Sequence, residues 1–302
     1  MTPERISSEH GQSTVEWVAL VLLVSLAIAV LAAIAGTSVP GVALARAIAA
    51  KIACAASLSE SCTAQTTRLV AAYGDEVAGL VAEHAPELRY EKGMRALPVD
   101  YRRCRADACA EGSEAGEIWR SRSGEPVVAF LRAIDCRAGS PAAADPDEAD
   151  CSGERAGNLY LQYWFYYPGS ATAEGGGVIG PAIRQLSSAV GRPTYHPDDW
   201  ESLQLRIGRD GNAWARASSH HGYSYELGGA GGWGPSLGSV YVSGGSHAGN
   251  VFAARESDRT TPADRLRLIP LESIGADERA RFAVTPPWRK GVWFDPEYEG
   301  TD

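Results

Sequence analysis

Leu159-Tyr-Leu-Gln-Tyr-Trp-Phe-Tyr-Tyr167 and Trp200-Glu-Ser-Leu-Gln-Leu-Arg-Ile207 are the stretches that decide the fold. Both are rich in residues that suit a pleated, packed surface, and both are bounded by Gly, Pro and Asp turns. Pro126–Ile134, Ala213–Ala217, Ser239–Ser243 and Asn250–Ala254 repeat the texture as short strands. Many short strands separated by turn residues predict a mainly antiparallel β-sandwich. Two Gly-rich intervals interrupt it: Ala173–Gly191, with a short helix, and Gly228–Gly238.

Along the second stretch side chains alternate with period two. Glu201, Leu203, Leu205 and Ile207 therefore share one face, with Asp199 preceding them in phase. That face is apolar at depth and carboxylate at its mouth. Two carboxylates within one strand repeat repel each other unless a proton or cation sits between them. His196 lies in the preceding turn, within reach of the same point. Two further segments, Ser218-Ser-His-His-Gly-Tyr223 and Ser243-Gly-Gly-Ser-His-Ala248, bring the His residues between 196 and 247 to four of the chain's six. Oxygen ligands favour Ca²⁺ or Mg²⁺. Added His221 and His247 shift the preference to Zn²⁺ or Mn²⁺. The plainer reading has Asp198 and Asp199 capping a turn, Glu201 paired with an arginine, and His220 and His221 on the surface.

Trp17–Ala35 is nineteen residues without a charge, and at helical rise it spans about 28 Å, enough for a bilayer core. The leader Met1–His10 is not basic and the apolar run is long, so a cleaved secretory signal fits less well than an anchor. A soluble core helix would show a polar face, and this run has only Ser25. Glu16 at its edge is expensive in a membrane and calls for a reason.

Six cysteines, 54, 62, 104, 109, 136 and 151, are an even number in an exported context, which permits disulfides. Neighbour pairing (Cys54 with Cys62, Cys104 with Cys109, Cys136 with Cys151) is the simplest connectivity. No pair has the C-x-x-C spacing of a zinc site. Thr66–Glu83 reads as a helix, and Val42–Ala53 as another that continues the anchor outward beyond Pro40-Gly41. Net charge of −9 argues against a nucleic-acid partner. The 25 Arg against three Lys reflect coding bias.

Gly11-Gln-Ser-Thr-Val-Glu16-Trp, with a hydrophobic helix directly behind, resembles a type IV prepilin signal, in the form used by Flp/Tad pilins and their TadE-like pseudopilin relatives. The resemblance implies cleavage between Gly11 and Gln12. It also implies pairing of Glu16 with a neighbouring subunit's N-terminal amine, and display outside the cytoplasm. Tyr163-Trp-Phe-Tyr-Tyr-Pro168, then His196-x-x-Asp-Trp-Glu201, Ser219-x-His-Gly-Tyr223 and Gly245-Ser-His-Ala248 resemble, in order, the necrosis-inducing NLP cytolysins. They also resemble a related fungal vacuolar-sorting-associated family. This second resemblance implies a β-sandwich and a divalent cation held by His196, Asp199 and Glu201 near a sugar-binding cavity. The chain departs from the pattern at Asp198, where the family has a second His. It departs also at Gly169-Ser170, where the family has a further Asp, and in the longer spacer before the motif.

The expected organisation is a leader over 1–11, a transmembrane helix over 12–36, a helical disulfide-stapled stalk over 37–125 and a β-sandwich over 126–302, an α+β chain overall. The expected role is a single-pass cell-membrane protein held in the bilayer by 17–35, working with pilin-like subunits or their assembly machinery. Its exported domain binds a metal and a glycan or protein partner. A metal-dependent hydrolase of an ester, phosphodiester or glycan is the alternative, with His221 or His247 as base and Ser246 a conceivable nucleophile. A purely structural minor pilin is the third reading.

Overall fold

A computed structural model describes residues 60–137, 149–171, 195–219, 222–223, 232–251, 256–275 and 281–299. The expected membrane segment, Gly11, Gln12, Glu16, Cys54, His220 and His221 lie outside these residues, as do the side chains of Cys62 and His196. Among the described residues no helix is long and apolar enough to cross a membrane. The chain divides into two units, Met1–Thr63 and Ala64–Asp302.

In chain order the elements are helix α1 (Glu60–Glu83), β1 (Glu87–Glu91), α2 (Asp107–Ala110), β2 (Gly116–Glu117), β3 (Val128–Asp135), β4 (Leu159–Ala171) and β5 (Tyr195–Ile207). Then follow β6 (Ala213–Ser219), β7 (Gly222–Tyr223), β8 (Gly234–Pro235), β9 (Ser239–Val242), β10 (Gly249–Asn250), β11 (Ser257–Thr261), β12 (Arg267–Pro270) and α3 (Gly291–Phe294). One sheet has the order β10-β9-β1-β11-β2; the other runs β12-β3-β4-β5-β6-β7, with β8 also pairing β6. The expected antiparallel character holds along β3-β4-β5-β6. Parallel pairs enter where β1 meets β9, β11 meets β2 and β12 meets β3.

Within the range expected as stalk, β1 and β2 are strands of the first sheet. β1 sits in the middle of the first sheet, between β9 and β11. Its alternation is local: Leu88 and Tyr90 are buried while Glu87, Arg89 and Glu91 are half-buried. Five residues between a long helix and a Gly turn read as a strand only once their partners, about 150 residues away in sequence, are known. α1 presents Leu69, Tyr73, Val77 and Val81 to the main core at four-residue spacing. Two hydroxyls dock against it or from it: Tyr73 donates to Leu131 O at 2.7 Å, and Tyr163 donates to Val81 O at 2.7 Å. Gly74 (φ 75°, ψ 167°) breaks the helical path mid-way, a backbone state that glycine reaches without Cβ strain.

β4 and β5 form the backbone of the second sheet, aligned from Leu159 opposite Ile207 to Ala171 opposite Tyr195. The main core lies on their inner face. It takes Leu159, Leu161, Tyr163, Phe165 and Tyr167 from β4, Leu203, Leu205 and Ile207 from β5, and Leu88, Tyr90, Val240 and Val242 from the other sheet. The outer face is buried too. Phe130, Trp164, Tyr166 and Trp200 pack under Val99, Tyr101, Cys104, Leu271, Val292 and Trp293. Burial on both faces explains why β4 shows no polar alternation.

One line across the outer face is polar. Arg132, Gln162, Gln204 and Arg216 are registered neighbours on β3, β4, β5 and β6, each no more than 2% exposed. The C-terminal segment covers them with backbone carbonyls. Gln162 Nε2 donates to Val292 O at 2.9 Å, Arg132 Nη2 to Trp293 O at 3.2 Å and Arg216 Nη2 to Pro296 O at 2.8 Å. The Arg132 guanidinium lies 3.7 Å over the Trp293 ring. Cys104–Cys109 and Cys136–Cys151 are disulfides, as neighbour pairing predicts.

Candidate functional site

The carboxylate face read from sequence is formed by β5. Asp199 and Glu201 are buried, 0% and 1% exposed, opposite Tyr167 and Phe165 of β4. They share the inner face with Leu203 and Leu205, at the end of the strand away from the β5–β6 turn. His247 reaches the same point from the turn joining β9 to β10, and is 2% exposed. Its Nδ1 lies 3.0 Å from Asp199 Oδ2. An ionised carboxylate can only accept, so this bond takes its proton from Nδ1, and in the neutral imidazole Nε2 is then the lone-pair nitrogen. That Nε2 is buried and has no hydrogen-bond partner among the described residues.

Tyr167 completes the arrangement. Its ring stacks on the His247 imidazole, centroids 4.1 Å apart and planes 11° from parallel. Burial pushes its phenol well above the usual range, and the neighbouring Tyr90, Glu201 and Asp199 push it further. Its hydroxyl is buried with no hydrogen-bond partner among the described residues. Sequence reading placed Tyr167 in an aromatic strand without a role; its position opposite Asp199 in the β4–β5 register was the missing information.

His247 holds a left-handed backbone, φ 55°, in a tight turn. Ser243 N donates to Ala248 O at 3.0 Å, and Ser246 N donates to Gly244 O at 2.9 Å. Two links fix the turn to its surroundings. Gly244 N donates to Glu91 Oε2 at 2.6 Å, and Ser170 Oγ donates to Gly245 O at 3.3 Å. The position where the NLP resemblance places a further acid is thus taken by a serine that ties the His247 turn to β4. Ser246 Oγ accepts from Ala248 N at 3.4 Å and makes no bond to His247 Nε2 among the described residues, so the adjacent pair does not form a nucleophile–base couple here.

Asp198, where the chain departs from the pattern it resembles, has a distinct place in the fold. Its backbone is left-handed at φ 61°, a state Asp tolerates better than most residues. Its carboxylate accepts from Tyr166 Oη at 2.6 Å, Arg105 Nη2 at 2.7 Å and Ala283 N at 2.8 Å. Desolvation and the Asp198 carboxylate together hold the Tyr166 phenol above its usual range. Asp198 therefore belongs to the outer side of the strand and is not a member of the Asp199–Glu201 face.

His196 lies on β5 with its backbone opposite Ser170. Of the expected residues, Asp199 and His247 are in contact, and Glu201 follows Asp199 on the same face of β5, near Tyr167. Among the described residues, no group of three or more His, Cys, Asp or Glu side chains is placed to hold a metal ion.

No protein-family profile matches the chain, and no curated protein matches its sequence. Among solved structures the chain is similar to NLPPya in complex with glucosamine, covering 70% of this chain and 85% of that one, at 17% identity and a TM-score of 0.36. It is likewise similar to NLPPya in complex with mannosamine, with the same coverage, 16% identity and a TM-score of 0.34.

Proposed function

We propose that the chain is a membrane-anchored, exported protein of the Flp/Tad pilus-associated type, whose β-domain holds a divalent cation and uses that site to bind a glycan or protein partner. The observation that supports the metal part is the buried contact of His247 with Asp199, beside Glu201 on the same face of β5. A buried imidazole nitrogen without a hydrogen-bond partner among the described residues, on a ring held by a carboxylate, is a donor suited to a cation. A metal-bound His commonly gives its other ring N–H to a carboxylate, the contact His247 makes with Asp199. Glu201 would supply an oxygen ligand and His247 Nε2 a nitrogen ligand, with the Asp199 carboxylate holding the imidazole at Nδ1, and His196 is the further ligand its motif implies. A bound cation would neutralise the carboxylate pair and offer open coordination positions to the hydroxyls or carboxylate of a partner.

The test is the response of thermal unfolding to excess Ca²⁺ or Mn²⁺ in the intact chain and in the double variant D199A/E201A. A ligand at a hundred times its Kd stabilises by about 2.7 kcal/mol, a shift the variant should lose. An equal response in both proteins would sink the metal reading. N-terminal sequencing of the native protein checks the pilus part: a chain that begins at Gln12 is expected, and one that begins at Met1 would overturn the prepilin reading.

The Asp199–His247 pair also favours the second reading, a metal-dependent hydrolase, because a carboxylate that orients an imidazole is the arrangement of a general base. Turnover of fluorogenic esters or phosphodiesters that depends on added Mn²⁺ and vanishes in H247A would select it over binding alone.

A further inference from the structure

The Asp199–Glu201 face begins one residue after the left-handed turn at Asp198, and three separate segments hold that turn. Tyr166 reaches it from β4, Ala283 N from the stretch before α3, and Arg105 from the loop closed by the Cys104–Cys109 disulfide. The Arg105 guanidinium is itself fixed: Nη2 donates to Arg281 O at 3.0 Å, and its carbon lies 4.8 Å over the Phe282 ring. Cys104 is buried at 1% exposure and its N–H is bonded to Asp100 O at 2.9 Å, so the base of the loop is anchored. The disulfide then limits where the next residue, Arg105, can go.

Asp198 without its donors would favour extended backbone, as L-residues do. Such a change alters the phase of the residues that follow it, and Asp199 meets His247 only in the observed phase. We infer that the Cys104–Cys109 loop is a positioning clamp: through Arg105 and the Asp198 carboxylate it sets Asp199 against His247. Arg105 is a positioning residue and touches neither carboxylate of the site. The inference rests on the metal reading for its use, while its geometry is testable without metal.

The experiment uses the full chain in detergent micelles with ¹⁵N-labelled histidine, comparing wild type with R105Q, R105K and C104S/C109S; H247A assigns the signal. The Arg105 side chain is 38% exposed, so R105Q is expected to keep the fold. At fixed pH, the His247 ring nitrogens should show the Nδ1–H tautomer in wild type and lose that preference in R105Q and C104S/C109S. R105K, which keeps one cationic donor, should restore it in part. Mn²⁺ affinity, measured on the same proteins, should fall about tenfold or more in R105Q, the range typical when a residue behind the metal ligands is lost. Unchanged His247 signals in R105Q and C104S/C109S would overturn the clamp, as would a loss of stability without any change at His247. Absence of Mn²⁺ binding to wild type would count against the metal reading, and the His247 signals would still decide the clamp.

Discussion

The imidazole of His247 lies flat on the phenol ring of Tyr167, with centroids 4.1 Å apart, and this contact joins a turn of one sheet to a strand of the other. The ring, not the hydroxyl, makes the contact. Y167F should therefore keep the stack and change stability by less than about 1 kcal/mol, because it removes a buried hydroxyl that has no partner among the described residues. Y167A removes the stack and leaves a cavity, and should cost about 3–5 kcal/mol. Urea unfolding of the two variants separates the contributions.

Gly249, just after the His247 turn, packs tightly on the second sheet. A Cβ there would lie 2.9 Å from Ala217 Cβ and 3.2 Å from Val240 Cγ2. G249A should destabilise by about 1–3 kcal/mol, because both neighbours are short and backbone-fixed. A217G removes the nearer atom, so the double variant should lose less than the sum of the two single losses. A double-mutant cycle in urea measures that coupling.

His84, at the end of α1, is held below its usual pKa by burial, with Glu83 opposing the shift. A histidine that protonates more readily unfolded than folded contributes stability that is whole above its unfolded pKa of about 6.5 and lost as pH falls through the folded value. H84Q removes this contribution. Between about pH 8 and pH 5 the urea midpoint of wild type should fall more steeply than that of H84Q. Parallel curves would show that His84 is not the group responsible.

Much of the second sheet was legible in the sequence because its strands carry their own signal. β4 and β5 announce themselves by aromatic and leucine content between turn residues, and period two alone placed Asp199 and Glu201 on the face with Leu203 and Leu205. Neighbour pairing gave Cys104–Cys109 and Cys136–Cys151 because short loops close readily. What stayed hidden depends on register and distance. Asp198 reads as one more acid of a cluster until Arg105, Tyr166 and Ala283 are seen around it, and two of the three lie more than eighty residues away. Tyr167 could not be matched to His247, nor β1 to β9 and β11, without tertiary pairing. The C-terminal segment, poor in strand or helix pattern, gave no sign that its carbonyls cover buried arginines.

Those buried arginines bear on how the strands find their alignment. The apolar pattern of β4 and β5 has a parity of two: a slip of one residue turns every side chain to the wrong layer and is excluded, but a slip of two leaves each on its proper side. The line Arg132-Gln162-Gln204-Arg216 breaks that degeneracy. After a two-residue slip Gln162 would face Ser202 or Arg206, and the evenly placed donors under Val292, Trp293 and Pro296 would no longer meet their carbonyls. The misaligned sheet would bury cationic groups away from their acceptors, at a cost apolar residues could not impose. A polar row on one face thus proofreads the alignment on which the other depends, where Asp199 must arrive opposite Tyr167 and nowhere else.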